Sequence, residues 1–344
     1  MSKRTTIKDI AQAANVSSAT VSYILNKASN KSISEATRDR VLAIAQELHY
    51  IPNTSAQRLK TNQTNCIVVW LSSTLMLARY QAILQGIRSY LATKGYSLLL
   101  VNDEPPKILS GCIHACMSGQ ADGLLYISSM GEDIPEEELA QLQDWDIPVS
   151  VVDCMENVPS VSSVTYDYYA SSRVRIDHLI KNGYRKFLYL RPVYQNYNEV
   201  AREQGVRGVL LERNDVFLRI HQMQALGSNW LDTFNPDLLY MQRLDALCAQ
   251  EIRALPDIFD PDTAIIAYSR ELQDLVSRIL HAEHLSKKSE ETARWYQRGV
   301  SYHFPHYEAG VEAARSLLNS ISGGSEVRRL SMRPVLDLPA QDLL

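Results

Sequence analysis

The 344-residue sequence predicts an α/β protein in two parts: a small all-helical head over residues 1–60 and a body, 61–344, of doubly wound parallel sheets. Three observations predict it. Helix caps and apolar residues at helical spacing crowd the first sixty residues, and strand-like apolar runs alternate with helical patterns from Cys66 onward. The charge is also divided between the parts. Residues 1–60 carry nine Lys or Arg against four Asp or Glu, a net +5; the whole chain is −4, so the body carries −9. A basic module on an acidic body suits contact with a polyanion at one end only.

In the head, Thr6 has Asp9 three residues later, a spacing that satisfies orphan amides at a helix start. Ile7, Ile10 and Ala11 give that helix one apolar stripe. Asn15 suits a left-handed turn position, and Val16 returns the chain to the core. Ser17 caps a second helix with Val21, Ile24 and Leu25 facing inward. Its outward residues are Ser18, Ala19, Thr20, Ser22, Tyr23 and Asn26; all but Tyr23 are small and most form hydrogen bonds, so this face fits a DNA major groove. Cap, helix, tight turn, cap and helix in this order make a helix-turn-helix. Ser34 and Glu35 open a third helix with Val41, Ile44, Ala45 and Leu48 as its buried stripe, and Tyr50-Ile51-Pro52 is expected to end it. Asn53 then caps a short helix to Lys60, too short to persist without a partner subunit or DNA.

In the body, residues 66–71 form a continuous apolar run, as expected of a parallel strand covered on both faces. Tyr80, Ile83, Leu84, Ile87 and Leu91 follow at helical spacing, with Gly95 as the stop. Further strands are expected at 96–101, 122–127 and 147–152. After Ser162 come a strand at 163–166, a helix to Asn182 stopped by Gly183, and a strand at 186–190. A helix over 199–212 and strands at 216–220 and 264–268 complete the readable pattern. The change near residue 162 implies two subdomains. Ligands collect at the C-terminal ends of strands in such sheets.

Residues 5–60 resemble the DNA-binding region of the lactose/galactose repressor family of bacterial transcription regulators. The match is carried by residues 6–11 (Thr-Ile-Lys-Asp-Ile-Ala), 16–22 (Val-Ser-Ser-Ala-Thr-Val-Ser), Asn26, Thr37-Arg38, Val41, Tyr50, Pro52-Asn53, Ala56 and Leu59. The resemblance implies a homodimer on double-stranded DNA with an inverted-repeat operator, two recognition helices in successive major grooves and a paired hinge helix, 53–60, in the minor groove. By resemblance Ser18, Ala19 and Tyr23 read bases, while Ser17, Thr20, Ser22 and Asn26 hold phosphates. Leu59 is the hinge wedge, and Ala56 is the small residue beside it; Thr6 and Asn53 complete the expected DNA-binding set. Tyr23 stands where many relatives have Arg or His, which implies a different operator, since Tyr lacks the bidentate contact to guanine.

The same resemblance implies a body like periplasmic sugar-binding proteins, with an N-lobe of about 63–162 and 295–322 and a C-lobe of about 163–294 and 323–344. A small-molecule effector, a sugar or a derivative, would sit in the cleft between them. Asp153, Arg202 in Arg202-Glu203-Gln204-Gly205, and Ser72 match effector positions, and Asp167 matches the turn after the first C-lobe strand. Asp153 and Arg202 are also suited chemically to hydroxyl-rich ligands. The chain departs from the family where Tyr268-Ser269 replaces Asn-Asp, at Tyr169, and over 285–300, which is polar where relatives have an apolar strand. The pocket is then expected to be aromatic (Tyr126, Tyr166, Tyr268, Trp230), reshaped for another ligand, or empty, and free pentoses and hexoses are expected to bind worse than millimolar or not at all.

The function expected is a sequence-specific transcription regulator, a repressor of sugar or related catabolic genes answering to an effector. One alternative is a DNA-binding regulator with a degenerate cleft, controlled by a protein partner or unliganded. Another is a ligand-binding protein or enzyme carrying a helix-turn-helix head. The sequence has no nucleophile–base set and no Gly-rich phosphate loop, so no enzyme is expected. No apolar run is long enough to span a membrane, and a cytoplasmic protein with no leader and no membrane partner is expected. The five cysteines read as core thiols, with Cys112 and Cys116 on one helical face. The pairs His281/His284 and His303/His306 lack the further ligands of a zinc site, so no metal or cofactor is expected.

Overall fold

The computed structural model describes residues 5–25, 33–50, 63–71, 77–101, 109–128, 133–154, 158–194, 196–227, 238–287 and 301–337. The chain divides into two units, Met1–Thr64 and Asn65–Leu344.

The first unit holds helices α1 (Ile7–Ala14), α2 (Ser18–Leu25) and α3 (Glu35–Glu47). The local chemistry explains each boundary. The Thr6 hydroxyl accepts the Asp9 amide at 3.4 Å, and the Asp9 carboxylate accepts the Thr6 amide at 2.7 Å, closing the capping box. Asn15 takes the left-handed conformation (φ 52°) that turns α1 into α2. Ser17 accepts the Thr20 amide at 3.1 Å, and Ser34 accepts the Thr37 amide at 3.3 Å. Ile10, Val21, Ile24 and Val41 are buried at the junction of the three helices; full burial of such a side chain contributes about 1.5–3 kcal/mol.

Two expectations are corrected in the head. Leu48 is exposed rather than part of the α3 stripe, because the helix has ended by then. Its last residue is Glu47 and its C-cap Leu48; His49 follows with φ 47°, and the Tyr50 amide bonds back to the Ala45 carbonyl at 2.8 Å, so a left-handed residue and not Pro52 makes the stop.

The second unit contains strands β1 (Cys66–Leu71), β2 (Ser97–Val101), β3 (Leu124–Ile127), β4 (Val149–Val152), β5 (Ser162–Tyr166), β6 (Lys186–Pro192), β7 (Phe217–Met223), β8 (Thr263–Ala267), β9 (Ser301–His303), β10 (Arg329–Met332) and β11 (Val335–Asp337). Its helices are α4 (Ala78–Thr93), α5 (Ser110–Met117), α6 (Glu136–Asp144), α7 (Tyr168–Lys181), α8 (Tyr197–Leu211), α9 (Leu238–Arg253), α10 (Arg270–Lys287) and α11 (His306–Ile321). Among the described residues the first sheet runs β10-β5-β4-β3-β1-β2 and the second β7-β6-β8, every pair parallel. Strands β9 and β11 form a separate antiparallel pair.

Alternation along β1 shows how the first sheet is buried. Ile67, Val69 and Leu71 pack under α4 and α11, while Val68 and Trp70 pack under α5 and α6. The second sheet is covered in the same way: Leu188 and Leu190 face α9 and α10, and Phe187 and Tyr189 face α7 and α8. No described helix is long and apolar enough to cross a membrane.

Two close crossings fix the helix layers. An added Cβ on Gly86 of α4 would lie 2.0 Å from the Tyr307 carbonyl oxygen, and one on Gly310 of α11 would lie 2.1 Å from that of Ile83. Each helix therefore presents a glycine to the other's backbone. Gly205 of α8 likewise meets the Tyr169 carbonyl of α7, at 2.3 Å.

The sheet pairing differs from the lobe ranges set by resemblance. Residues 162–166 extend β4 through Ser150↔Ser162, and 329–332 add the last strand through Arg329↔Ser163. Segments assigned above to the C-lobe thus belong to the first sheet.

Candidate functional site

The described recognition-type residues lie on one side of α2. Ser17, Ser18 and Ala19 are exposed, and Thr20, Ser22 and Tyr23 are half-buried, while Val21 and Ile24 point into the head core. Thr6 is exposed at the α1 cap. The small side chains leave this face shallow and the hydroxyls line it. The Ser17 and Thr20 hydroxyls are 2.9 Å apart, so the α2 cap and the outward face are one hydrogen-bonded unit. Asn26, Asn53, Ala56 and Leu59 lie outside the described residues, as does the expected hinge.

In the second unit a cavity of about 740 Å³ opens between the ends of the two sheets. It is built mainly by the start of α4, by α7 and α8, and by the β8–α10 and β9–α11 turns. Arg202 and Tyr268 line it. One turn after Arg202, the close crossing at Gly205 brings α8 onto α7, and both helices contribute to the cavity lining. The Arg202 guanidinium lies 4.0 Å from the centre of the Tyr168 ring and forms an ion pair with buried Glu199. Burial pushes the Glu199 carboxyl upward and Arg202 opposes it.

Asp153 sits just behind this wall. It ends β4 in the left-handed region (φ 57°), which Asp tolerates better than most residues, and it is buried. The Tyr168 hydroxyl lies 2.8 Å from both of its carboxylate oxygens, and the Asn198 amide approaches at 3.5 Å. Burial, reinforced by Asp153, holds the Tyr168 phenol well above its ordinary pKa, so it stays a donor. Asp153, Tyr168, Arg202 and Glu199 form one chain of contacts, with Tyr168 and Arg202 facing the cavity.

Other residues were not legible as site residues. Arg79 and Arg175 line the cavity. Arg175 is 4% exposed, with its guanidinium donating to the Ala267 carbonyl at 3.3 Å and to the Gln273 side chain. Both acceptors lie more than ninety residues away, so nothing local marks Arg175 as buried. Phe304 and His306 form the opposite wall with Tyr166 behind them: His306 Nδ1 is 2.9 Å from the Tyr166 hydroxyl, and the Tyr166 and Phe304 rings lie 4.9 Å apart. Desolvation, with Arg79, His303 and Arg270 adding to it, lowers the His306 pKa to about 4, so the ring is neutral at pH 7.

The expected aromatic set is therefore corrected in part. Tyr126 is stacked on Trp70 at 4.7 Å inside the first-sheet core rather than in the cavity, and Tyr166 supports the wall from behind. Tyr168 and Phe304 take their places. Trp230 and Ser72 lie outside the described residues. Asp167 caps α7 by accepting the Ala170 amide at 2.8 Å, and Ser269 accepts the Leu272 amide at 3.2 Å at the start of α10. Among the described residues no group of three His, Cys, Asp or Glu is placed to hold a metal. The cysteines are thiols, and burial pushes Cys116 and Cys248 up to about 12, which keeps both protonated and unreactive.

Comparison with known proteins agrees with both units. Residues 6–53 match the family described as bacterial regulatory proteins, lacI family. The HTH-type transcriptional repressor PurR of Aliivibrio salmonicida is 30% identical over 183 residues, so that the match spans 53% of each chain, about half the relative's length. The PurR repressor of Vibrio vulnificus is 26% identical over 341 residues and 96% of both chains. Among solved structures, the lac repressor dimer bound to operator and the anti-inducer ONPF superposes with a TM-score of 0.67 at 20% identity, covering 97% of this chain and 98% of that one. With the capped helix-turn-helix, the paired parallel sheets and a relative matched along 96% of its length, this chain is similar to the lacI family of bacterial regulatory proteins, whose model its head matches over residues 6–53.

Proposed function

We propose that the protein is a cytoplasmic, homodimeric DNA-binding transcription repressor that reads an inverted-repeat operator through α2 and is controlled by a small molecule in the cavity of its body. The observation that carries the DNA reading is the α2 face: small, hydroxyl-rich and exposed, on a head of net charge +5. Side chains of this size let a helix approach base edges, and basic groups release counterions from phosphates. In this reading Ser18, Ala19 and Tyr23 face bases, while Ser17, Thr20, Ser22 and Asn26 hold the backbone. Asn53, Ala56 and Leu59 serve the hinge, with Leu59 wedged into a base step. The operator and dimer of the solved lac repressor complex support the same arrangement here.

The cleft reading rests on Arg202, which lines a cavity of ligand size, with Asp153 as the anchor behind Tyr168. Asp153 therefore positions the wall, whereas Arg202 and Tyr268 contact the ligand. The lobe boundaries follow the sheets: β1–β5 with α11 and β10 on one side of the cavity, and β6–β8 with α7–α10 on the other.

Selection of genomic DNA fragments by the purified full-length protein tests the first part. Enrichment of a two-fold symmetric motif is expected, and equal retention of random fragments at physiological salt would overturn it. For the second part, a ligand that fills the cavity should raise Tm and change operator affinity in the same titration.

A further inference from the structure

We propose that Gln273 is a specificity-determining residue of the cavity, a fixed hydrogen-bond donor that selects a ring-bearing ligand whose facing group only accepts: a carbonyl oxygen or an unprotonated ring nitrogen. This deepens the cleft reading above and rests on it. Gln273 lies in the first turn of α10, lines the cavity and is only 9% exposed. A side-chain amide carries an acceptor at one end and two donors at the other, so what it offers a ligand depends on which end the protein has used.

The protein uses the oxygen. Gln273 Oε1 accepts the Ala267 amide at 3.0 Å, at the end of β8, and it also accepts the Arg175 guanidinium from α7. Both partners can only donate, so the atom they share is the carbonyl oxygen and the orientation of the amide is fixed. Arg175 is held a second time by donating to the Ala267 carbonyl at 3.3 Å. These contacts close a ring of three residues from α7, β8 and α10, and all three line the cavity. Two donors engage both lone pairs of Oε1. Among the described residues the Gln273 NH2 group donates to no protein atom. It is the end of the amide left for a ligand.

A donor that cannot turn round discriminates between ligands by where their protons are. An acceptor placed against it gains a hydrogen bond, whereas an N–H or O–H in the same place leaves two donors facing each other, both unsatisfied. The next residue adds the shape. Tyr268 follows Ala267, and its hydroxyl is hydrogen-bonded to Tyr194, so it offers the cavity its ring. The Tyr168 and Phe304 rings line the same space, which suits a flat ligand with the acceptor at its edge.

The test uses the full chain, isotope-labelled at glutamine and tyrosine, and two aromatic probes in mildly alkaline buffer, where both are uncharged: pyridine, whose nitrogen only accepts, and pyrrole, whose nitrogen only donates. Pyridine should shift the Gln273 NH2 resonance saturably and bind about three- to tenfold tighter than pyrrole, the range of one neutral hydrogen bond. Gln273→Glu keeps an oxygen for Ala267 and Arg175 but turns the cavity end into an acceptor, so the preference should reverse. Gln273→Met removes the amide and should abolish the preference without reversing it. A residue that served only to hold Arg175 would show the wild-type preference in Gln273→Glu, and that result would overturn the proposal. Equal binding of the two probes to the wild-type chain would overturn it as well, whether or not the variants fold. Movement of the Tyr268 ring signals without Gln273 removes the assignment and leaves the cleft reading standing. If neither residue responds at the highest probe concentration the fold tolerates, the proposal fails, and the operator titration above judges the cleft reading alone.

Discussion

Tyr168 joins the buried carboxylate of Asp153 to the cavity-facing guanidinium of Arg202, so its two ends have separable roles. Tyr168→Phe keeps the ring under Arg202 and removes the donor on Asp153. Leaving a buried acceptor short of a partner costs about 1–3 kcal/mol, and chemical denaturation of the variant should show a loss in that range. His306 supplies the pH dependence. Its pKa is about 4 in the fold against about 6.5 in the open chain, so the unfolded chain binds the extra proton between these values. The stability it contributes is present above pH 6.5 and is lost as pH falls toward 4. Denaturation midpoints across this window should fall more steeply for the wild type than for His306→Gln. At this scale the sequence was readable where a residue type is tied to a local device. Arg202 is followed by Gly205, and Thr6 by Asp9. Arg79 and Arg175 were not readable, because an arginine on an amphipathic helix looks solvated until the elements packed over it are known.

At the scale of elements, α4 and α11 cross backbone to backbone through Gly86 and Gly310. The same helices begin at the cavity, so the crossing sets the spacing of that wall. Gly310→Ala would drive a methyl group into the Ile83 carbonyl. The helices must move apart, and a loss of about 1–3 kcal/mol or more is expected in urea denaturation, with weaker binding of any cavity ligand. For the head, Thr6→Ala removes the cap of α1 and should cost about 1 kcal/mol, read as faster amide hydrogen exchange over residues 7–14 of the intact chain. Body strands up to residue 268 were readable, most plainly where burial on both faces writes a continuous apolar run, as in β1 and β8, whereas the helices α5, α6 and α9 were not read. Strand β10 was not: Arg-Leu-Ser-Met is short, half exposed and without a clear period, and it becomes a strand only by pairing with β5.

For the molecule as a whole, the division of charge separates two tasks. The +5 head should make DNA affinity strongly dependent on salt, while the −9 body keeps the rest of the surface from binding phosphate. If a dimer makes 6–10 phosphate contacts, affinity should fall by roughly 10³–10⁵ between 50 and 200 mM salt. Titration of a labelled operator at several salt concentrations measures this, and a flat response would remove the electrostatic basis of the reading. The two-part organisation was legible because composition changes abruptly after residue 60. The allocation of segments between the two sheets was not, since it depends on pairings between residues far apart in the chain.

That allocation bears on the order in which the body acquires its structure. Strands β6, β7 and β8 and the helices among them are contiguous, whereas β5 and β10 pair across about 166 residues, Arg329 beside Ser163. Contacts of long sequence separation form slowly because chain entropy is lost before they are rewarded. Strands β1 to β5 and strands β6 to β8 each pair with partners near them in the chain, whereas the edge strand β10 and the covering helix α11 must return to the first sheet from far along it. Refolding followed by pulse-labelled hydrogen exchange should protect the Val69 and Leu188–Leu190 amides before that of Leu330. The last event is the docking of the helix that carries Gly310 and one wall of the cavity. A chain caught before that step would already hold a folded second sheet but no pocket, and no ligand added to it could hasten a site that does not yet exist.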